Sequence, residues 1–339
     1  MNLRLTLISN LLLASTLIGN ACAVQHQTLG QQDAPVSPGA AQTERGAEKQ
    51  NVHEPSSREK YEFKKYGALV YDRGKDYRLT LDIYQPQGEG PFPAVLAIHG
   101  GAWRSGSKIT MLRHAWALAS AGYVVVAINY RHAPEHKFPA QIHDCKQAIR
   151  WIRYHADRYG IDKDKVAAFG YSAGGHLASL LGSSNPQDGL EGPIKDERLK
   201  DIPTRIQAVI AGGAVCDFDW VAPDSNLLKY WLGNNRATDP AVYQRATPIH
   251  YLSKTTPPFL FFHGDQDAVV PISSPLAMHQ KLIDMGLQSE FHTASGKGHL
   301  ATFGDLRQMK HCIEFLDRNF LETETPPKSS EENHPTKGN

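Results

Sequence analysis

Cysteine is scarce: four in 339 residues, one of them, Cys22, in the apolar N-terminal stretch. The remaining three, Cys145, Cys216 and Cys312, allow at most one internal disulfide, which excludes a disulfide-stapled scaffold, and their spacing fits no zinc pattern. Cys145 falls on the apolar side of a helical pattern and reads as a small core residue. Charge of one sign is lacking too. Lys and Arg number 36 against 35 Asp and Glu, a formal net charge of +1 with no long run of either sign. Nothing in that balance suits a nucleic acid or another charged polymer, so a near-neutral substrate is expected. No repeat of solenoid or propeller period occurs.

Long apolar runs are also missing. The longest, Leu5 to Ile18, follows Arg4, is interrupted by Ser9, Asn10, Ser15 and Thr16, and ends at Ala21-Cys22-Ala23. That is the form of an export signal over residues 1–23, and a retained membrane span is the weaker reading. Cys22 adds an alternative, since Leu17-Ile18-Gly19-Asn20-Ala21-Cys22 resembles a lipobox with a glycine where leucine is usual. Simple export ranks above lipid anchoring at Cys22. Residues 24–57 and 322–339 are rich in Gln, Ser, Pro, Glu and Lys without apolar periodicity, the composition of a disordered linker and tail. One large domain is expected over residues 58–321.

Inside it, apolar runs at Ala94–Ile98, Val124–Ile128, Val166–Gly170, Ile206–Ala211 and Phe259–Phe262 predict parallel strands buried on both faces. Leu79, Leu81 and Ile83 alternate with polar neighbours, predicting a half-buried strand with Phe63–Val70 as antiparallel partner. Glu290–Thr293 is the last candidate strand. Helices are expected at Met111–Ala121, at Gln141–Tyr159 closed by Gly160, after Ser172, and at Pro275–Met285 and Leu306–Phe320. Alternating strands and helices imply an α/β fold, a mostly parallel sheet covered on both faces with its site at the carboxyl ends of the strands. Residues 183–204 and 217–257 are irregular insertions, read as cap-like cover or as surface decoration.

Gly170-Tyr171-Ser172-Ala173-Gly174 lies where a strand pattern gives way to a helix pattern. Alone, G-x-S-x-G also describes a glycine-rich turn with a solvent-facing serine. In strand-turn-helix context it is a nucleophile elbow, holding the hydroxyl clear for a base and for backbone N–H donors. Further on, Asp267 follows the Phe259–Phe262 strand and His299 lies in a glycine-rich loop after the last one. The order Ser172, Asp267, His299 suits nucleophile, orienting acid and base, with Asp265 the rival acid. His263, His279 and His292 read as structural or surface residues, and His176 as packing near the elbow. His99-Gly100-Gly101-Ala102-Trp103, after the Ala94–Ile98 strand, supplies candidate oxyanion donors at Gly101 and Ala102, joined by Ala173. Trp103 reads as a substrate-pocket wall, or as ordinary packing.

These ordered motifs resemble the α/β-hydrolase superfamily, and within it esterases carrying the His99–Trp103 pattern. Asn129-Tyr130-Arg131-His132-Ala133-Pro134-Glu135, Phe138-Pro139-Ala140, Asp144 and Gly170–His176 are similar to theirs as well. The nearest branch is the bacterial group similar to bifunctional feruloyl and acetyl-xylan esterases. Hormone-sensitive-lipase-type esterases, which typically carry a third glycine at the place of Ala102, and kynurenine formamidases stand close by. The resemblance implies hydrolysis of short-chain or carbohydrate-linked carboxylic esters through an acyl-serine, with no metal or organic cofactor. Amide hydrolysis by an arylformamidase or exopeptidase, and a silent binding protein on the same fold, are the alternatives.

Overall fold

The structure, a computed structural model, describes residues 60–321. The expected export signal, the linker, Cys22 and the C-terminal tail lie outside the described residues.

Eight strands form one sheet in the order β1-β2-β4-β3-β5-β6-β7-β8. They are β1 (Phe63–Arg73), β2 (Arg78–Pro86), β3 (Phe92–Ile98), β4 (Val124–Ile128), β5 (Ile161–Tyr171), β6 (Ala208–Gly212), β7 (Phe259–Gly264) and β8 (Ser289–Ala294). β1 pairs with β2, and β2 with β4, antiparallel; every other pair is parallel. The helices are α1 (Leu112–Ser120), α2 (Ala140–Tyr154), α3 (Ala173–Ser183), α4 (Lys229–Leu232), α5 (Pro240–Ala246), α6 (Ser273–Asp284), α7 (His299–Gly304) and α8 (Gln308–Phe320). Among the described residues no helix is long and apolar enough to cross a membrane.

Strand periodicity builds two cores from one sheet, because successive side chains point to opposite faces. Ala94, Leu96 and Ile98 of β3 join α2 and α3 residues such as Ile142, Ile149 and Leu177 on one side. Val95 and Ala97 join Ala115 and Leu118 of α1 and Phe315 and Leu316 of α8 on the other. The continuous apolar runs are thus explained: all residues of β3, β4, β6 and β7 are buried.

Three expectations change. β2 is an inner strand, so its second face is covered as well. Tyr84 is buried there, and Asp82 pairs with Lys108 Nζ at 2.6 Å and Lys65 Nζ at 3.2 Å. α2 stops at Tyr154, and a separate 3-10 turn, Asp157–Tyr159, leads to Gly160, whose left-handed backbone makes the bend. His299 begins a six-residue helix rather than lying in a loop. Cys145, Cys216 and Cys312 are buried free thiols.

The insertions differ in what they cover. The first is anchored to α2 by Glu191, which takes Lys146 Nζ at 2.7 Å and Thr204 Oγ1 at 2.8 Å and pairs with Arg150. The second carries α4 and α5 and packs on the loop after β3 and on α3, through Trp231 against Trp103 and the Ala246 carbonyl against His176.

Candidate active site

The elbow is built by close approach. A Cβ at Gly170 would stand 2.1 Å from the Gly174 carbonyl oxygen, and one at Gly174 would stand 2.1 Å from that of Ile98. Only glycine lets α3 cross so tightly over β5 and β3. The strain itself falls on Ser172, a non-glycine residue at φ 57°, ψ −122°. Two bonds hold it there: Ser172 N–H donates to the Gly212 carbonyl at 2.8 Å, and His176 N–H donates to the Ser172 carbonyl at 2.9 Å. Ser172 is half-buried at the start of α3.

Asp267 follows β7 and its side chain is fully buried. Val269 and Val270 N–H both donate to Oδ1 at 2.9 Å, and His299 Nδ1–H donates to Oδ2 at 2.6 Å. Burial pushes its pKa up, but hydrogen bonds from His263 and His299, the field of His299 and the Val270 amide prevail and hold it well below the usual carboxylate range. An ionised Asp267 makes Nδ1 the protonated nitrogen of His299, which leaves Nε2 free to accept a proton. His299 is placed from a second side by Tyr171, whose hydroxyl donates to its backbone carbonyl at 2.5 Å. Its ring and Ser172 border the same backbone: a Cβ at Gly213 would stand 3.1 Å from His299 Cε1, next to the Gly212 carbonyl that holds Ser172.

Asp265, the rival acid, is exposed and accepts from Gly296 N–H at 2.7 Å, the work of a turn aspartate. His263, read from the sequence as structural, touches the site. It is buried in β7, with Nε2 2.9 Å from the Val270 carbonyl and 3.2 Å from Asp267 Oδ2. Its signal in the sequence was position alone, four residues before Asp267. Tyr171 was visible only as the variable residue of the elbow motif.

The loop after β3 approaches the serine closely, since a Cβ at Gly100 would lie 3.2 Å from Ser172 Cβ. Gly101, Ala102 and Trp103 all have positive φ, at 118°, 50° and 58°. Each preceding carbonyl is held by protein. Gly100 O accepts His99 Nδ1–H at 2.7 Å, and burial keeps that imidazole neutral by pushing its pKa down to about 3. Gly101 O accepts Arg104 N–H at 3.1 Å and Ser105 N–H at 3.0 Å. In a trans peptide the N–H points opposite its carbonyl, so the Gly101 and Ala102 amides are turned away from these partners. Ala173, first residue of α3, has an amide without an intrahelical acceptor.

Trp103 is 4% exposed, with its side chain packed against protein. Its indole stacks on Trp231 with centroids 3.7 Å apart and planes 1° from parallel, and Nε1–H donates to His176 Nδ1 at 3.2 Å. His176 passes the chain on, Nε2–H donating to Ala246 O at 2.7 Å; burial pushes its pKa down to about 4 and keeps it neutral. Beyond the loop, Arg131 grips the buried Asp144 carboxylate with Nε and Nη2 at 2.9 and 2.6 Å.

A hydroxyl on a strained turn, an imidazole with its second nitrogen free and a buried carboxylate are the parts acyl transfer needs. Among the described residues no group of three or more His, Cys, Asp or Glu could hold a metal ion.

In sequence the chain is similar to a probable carboxylic ester hydrolase, LipM, of Mycobacterium tuberculosis. It is 34% identical over 54% of this chain and 43% of its own. Esterase LipC of the same organism is 33% identical over 62% of this chain and 53% of its own. The chain spans about half the length of these curated relatives. In structure it is similar to a truncated carbohydrate esterase from gut microbiota, with a TM-score of 0.69 and 26% identity, covering 78% of this chain and 98% of that one. The BD-FAE family model matches residues 81–282, more than half of the sequence. With that match over a sheet of this order and connection, the chain belongs to the BD-FAE family and has the α/β-hydrolase fold.

Proposed function

We propose that the protein hydrolyses carboxylic esters, with Ser172 as nucleophile, His299 as general base and acid, and Asp267 as the orienting carboxylate. The observation that carries this reading is the 2.6 Å bond from His299 Nδ1–H to a buried, ionised Asp267 beside the Ser172 elbow. His299 Nε2 takes the Ser172 proton as Oγ attacks the ester carbonyl carbon. The oxyanion formed is met by the amides of Gly101, Ala102 and Ala173, each such donor worth on the order of 3 kcal/mol in the transition state. Collapse expels the alcohol, which takes the proton from His299 and leaves an acyl-serine. Water, deprotonated by the same nitrogen, attacks that ester and releases the acid, restoring Ser172.

The substrates proposed are short-chain or carbohydrate-linked acyl esters. The near-neutral net charge supports an uncharged substrate. The likeness to the gut carbohydrate esterase supports the carbohydrate-linked part. Export is part of the proposal and rests on the Leu5–Ile18 run with Ala21-Cys22-Ala23, with lipid attachment at Cys22 as its alternative form. The test is an initial-rate series on nitrophenyl esters of increasing acyl length beside feruloyl and acetylated-xylan substrates, with Ser172→Ala as control. Turnover confined to short acyl and carbohydrate esters, and abolished in Ser172→Ala, is expected. Undiminished turnover in the folded Ser172→Ala protein would remove the assignment.

A further inference from the structure

We infer that α4, in the second insertion, is a fixed strut of the oxyanion loop, with Tyr230 and Trp231 as positioning residues for the Gly101 and Ala102 amides. The inference rests on the esterase reading above and extends it to an element that covers the site.

Ala102 and Trp103 carry side chains in the left-handed region, where L-residues are disfavoured, so the loop needs outside contacts to keep its shape. The peptide before Ala102 is held from within the loop, by Arg104 and Ser105 N–H on the Gly101 carbonyl. The peptide after it is held from α4: the Tyr230 hydroxyl donates to the Ala102 carbonyl at 2.8 Å. Ala102 is thereby clamped on both sides. Burial pushes the Tyr230 phenol up to about 12, so it stays a donor across the working pH range, and the Arg104 guanidinium covers its ring at 5.2 Å.

The neighbouring residue supplies the second contact, Trp231 stacked on Trp103. α4 is itself tied to the scaffold. Trp231 Nε1–H donates to Gln141 Oε1 at 3.0 Å, and Phe138 N–H donates to the Trp231 carbonyl at 3.0 Å. Gln141 Nε2 in turn donates to the Arg131 and His136 carbonyls at 3.0 and 2.6 Å. Force on the loop is therefore passed to the start of α2. A lid that lifts to admit substrate would have to break these contacts and release Ala102, so this part of the insertion stays down while the site works.

The test uses Tyr230→Phe, which removes one hydroxyl, and Trp231→Phe, which keeps a ring at the stacking position. Both are compared with wild type and Ser172→Ala in the full chain. kcat and KM are measured on nitrophenyl acetate, together with the rate of phosphorylation by diethyl nitrophenyl phosphate, which also draws on the oxyanion donors, and the melting temperature. Tyr230→Phe is expected to lower kcat and the phosphorylation rate together by about tenfold, with KM within about twofold and little change in melting. Trp231→Phe, which keeps the ring, is expected to retain more of both rates than Trp231→Ala, measured beside it in the same series. Wild-type kcat and phosphorylation in a folded Tyr230→Phe protein would overturn the inference while Ser172→Ala, inactive, left the esterase reading standing. Turnover retained in Ser172→Ala would overturn that reading directly.

Discussion

Asp267 Oδ2 is shared by two histidines: His299 Nδ1 lies 2.6 Å from it and His263 Nε2 lies 3.2 Å away. One imidazole is positioned to move protons and the other, wholly buried, holds the carboxylate from behind. Replacing His263 by Phe removes a hydrogen bond that keeps Asp267 ionised. A buried bond to a charged group contributes about 2 kcal/mol. The Asp267 pKa is depressed in the folded state, so its stabilisation is present above the ordinary carboxylate value and is lost as pH falls through the folded value. Urea unfolding of His263→Phe from pH 7 down to about pH 1 is expected to show lower stability at neutral pH and a shallower loss on acidification below the ordinary carboxylate value. The same acid dependence in variant and wild type would contradict this.

Asp267→Asn and Asp265→Asn separate the two carboxylates of the β7 turn. An asparagine at 267 can present N–H to His299 and favour the wrong tautomer, so kcat is expected to fall about 10⁴-fold without unfolding. Asp265 is exposed and, among the described residues, takes the Gly296 amide of the neighbouring loop, so its variant should stay within a few-fold of wild type. Steady-state kinetics of the pair decide the matter.

Ser172 occupies its positive-φ turn at a cost of order 1–3 kcal/mol. Ser172→Gly is expected to lose turnover yet unfold at higher urea concentration, by about 1 kcal/mol, whereas Ser172→Ala keeps the Cβ and the strain. Equal stability of the two variants would argue against strain at the elbow.

Glu191 pairs with both Lys146 and Arg150, which are nearly inaccessible on α2. Glu191→Gln leaves two buried cations facing a neutral amide and is expected to cost about 3 kcal/mol in urea unfolding. Because the bonds given for Glu191 run to α2 and to Thr204 rather than to Ser172, Asp267 or His299, kcat of the folded variant should be close to wild type; a kcat defect without a stability defect would assign this insertion to the site.

The parallel strands were legible because burial on both faces admits only apolar residues, as at Val124–Ile128. The elbow was legible because its two backbone crossings admit only glycine. Other features left no pattern to read. α7 has six residues, too few for a helical period to show, so His299 looked like part of a loop. β2 looked half-buried because Asp82 is polar, although its side chain, paired with Lys108, is 7% exposed.

Composition, strand periodicity and the order of Ser172, Asp267 and His299 determined the fold and the candidate triad, because each rests on local constraints: burial along a strand, steric room at a turn, position after a strand end. The tertiary structure alone decided which histidines meet Asp267, that Tyr171 steadies His299, that Trp103 packs inward and that α4 braces Ala102. Apart from the His263–Asp267 pair, four residues apart, those contacts join residues distant in the chain. A side chain there is selected by the partner it meets in space, and its sequence neighbours carry no trace of it.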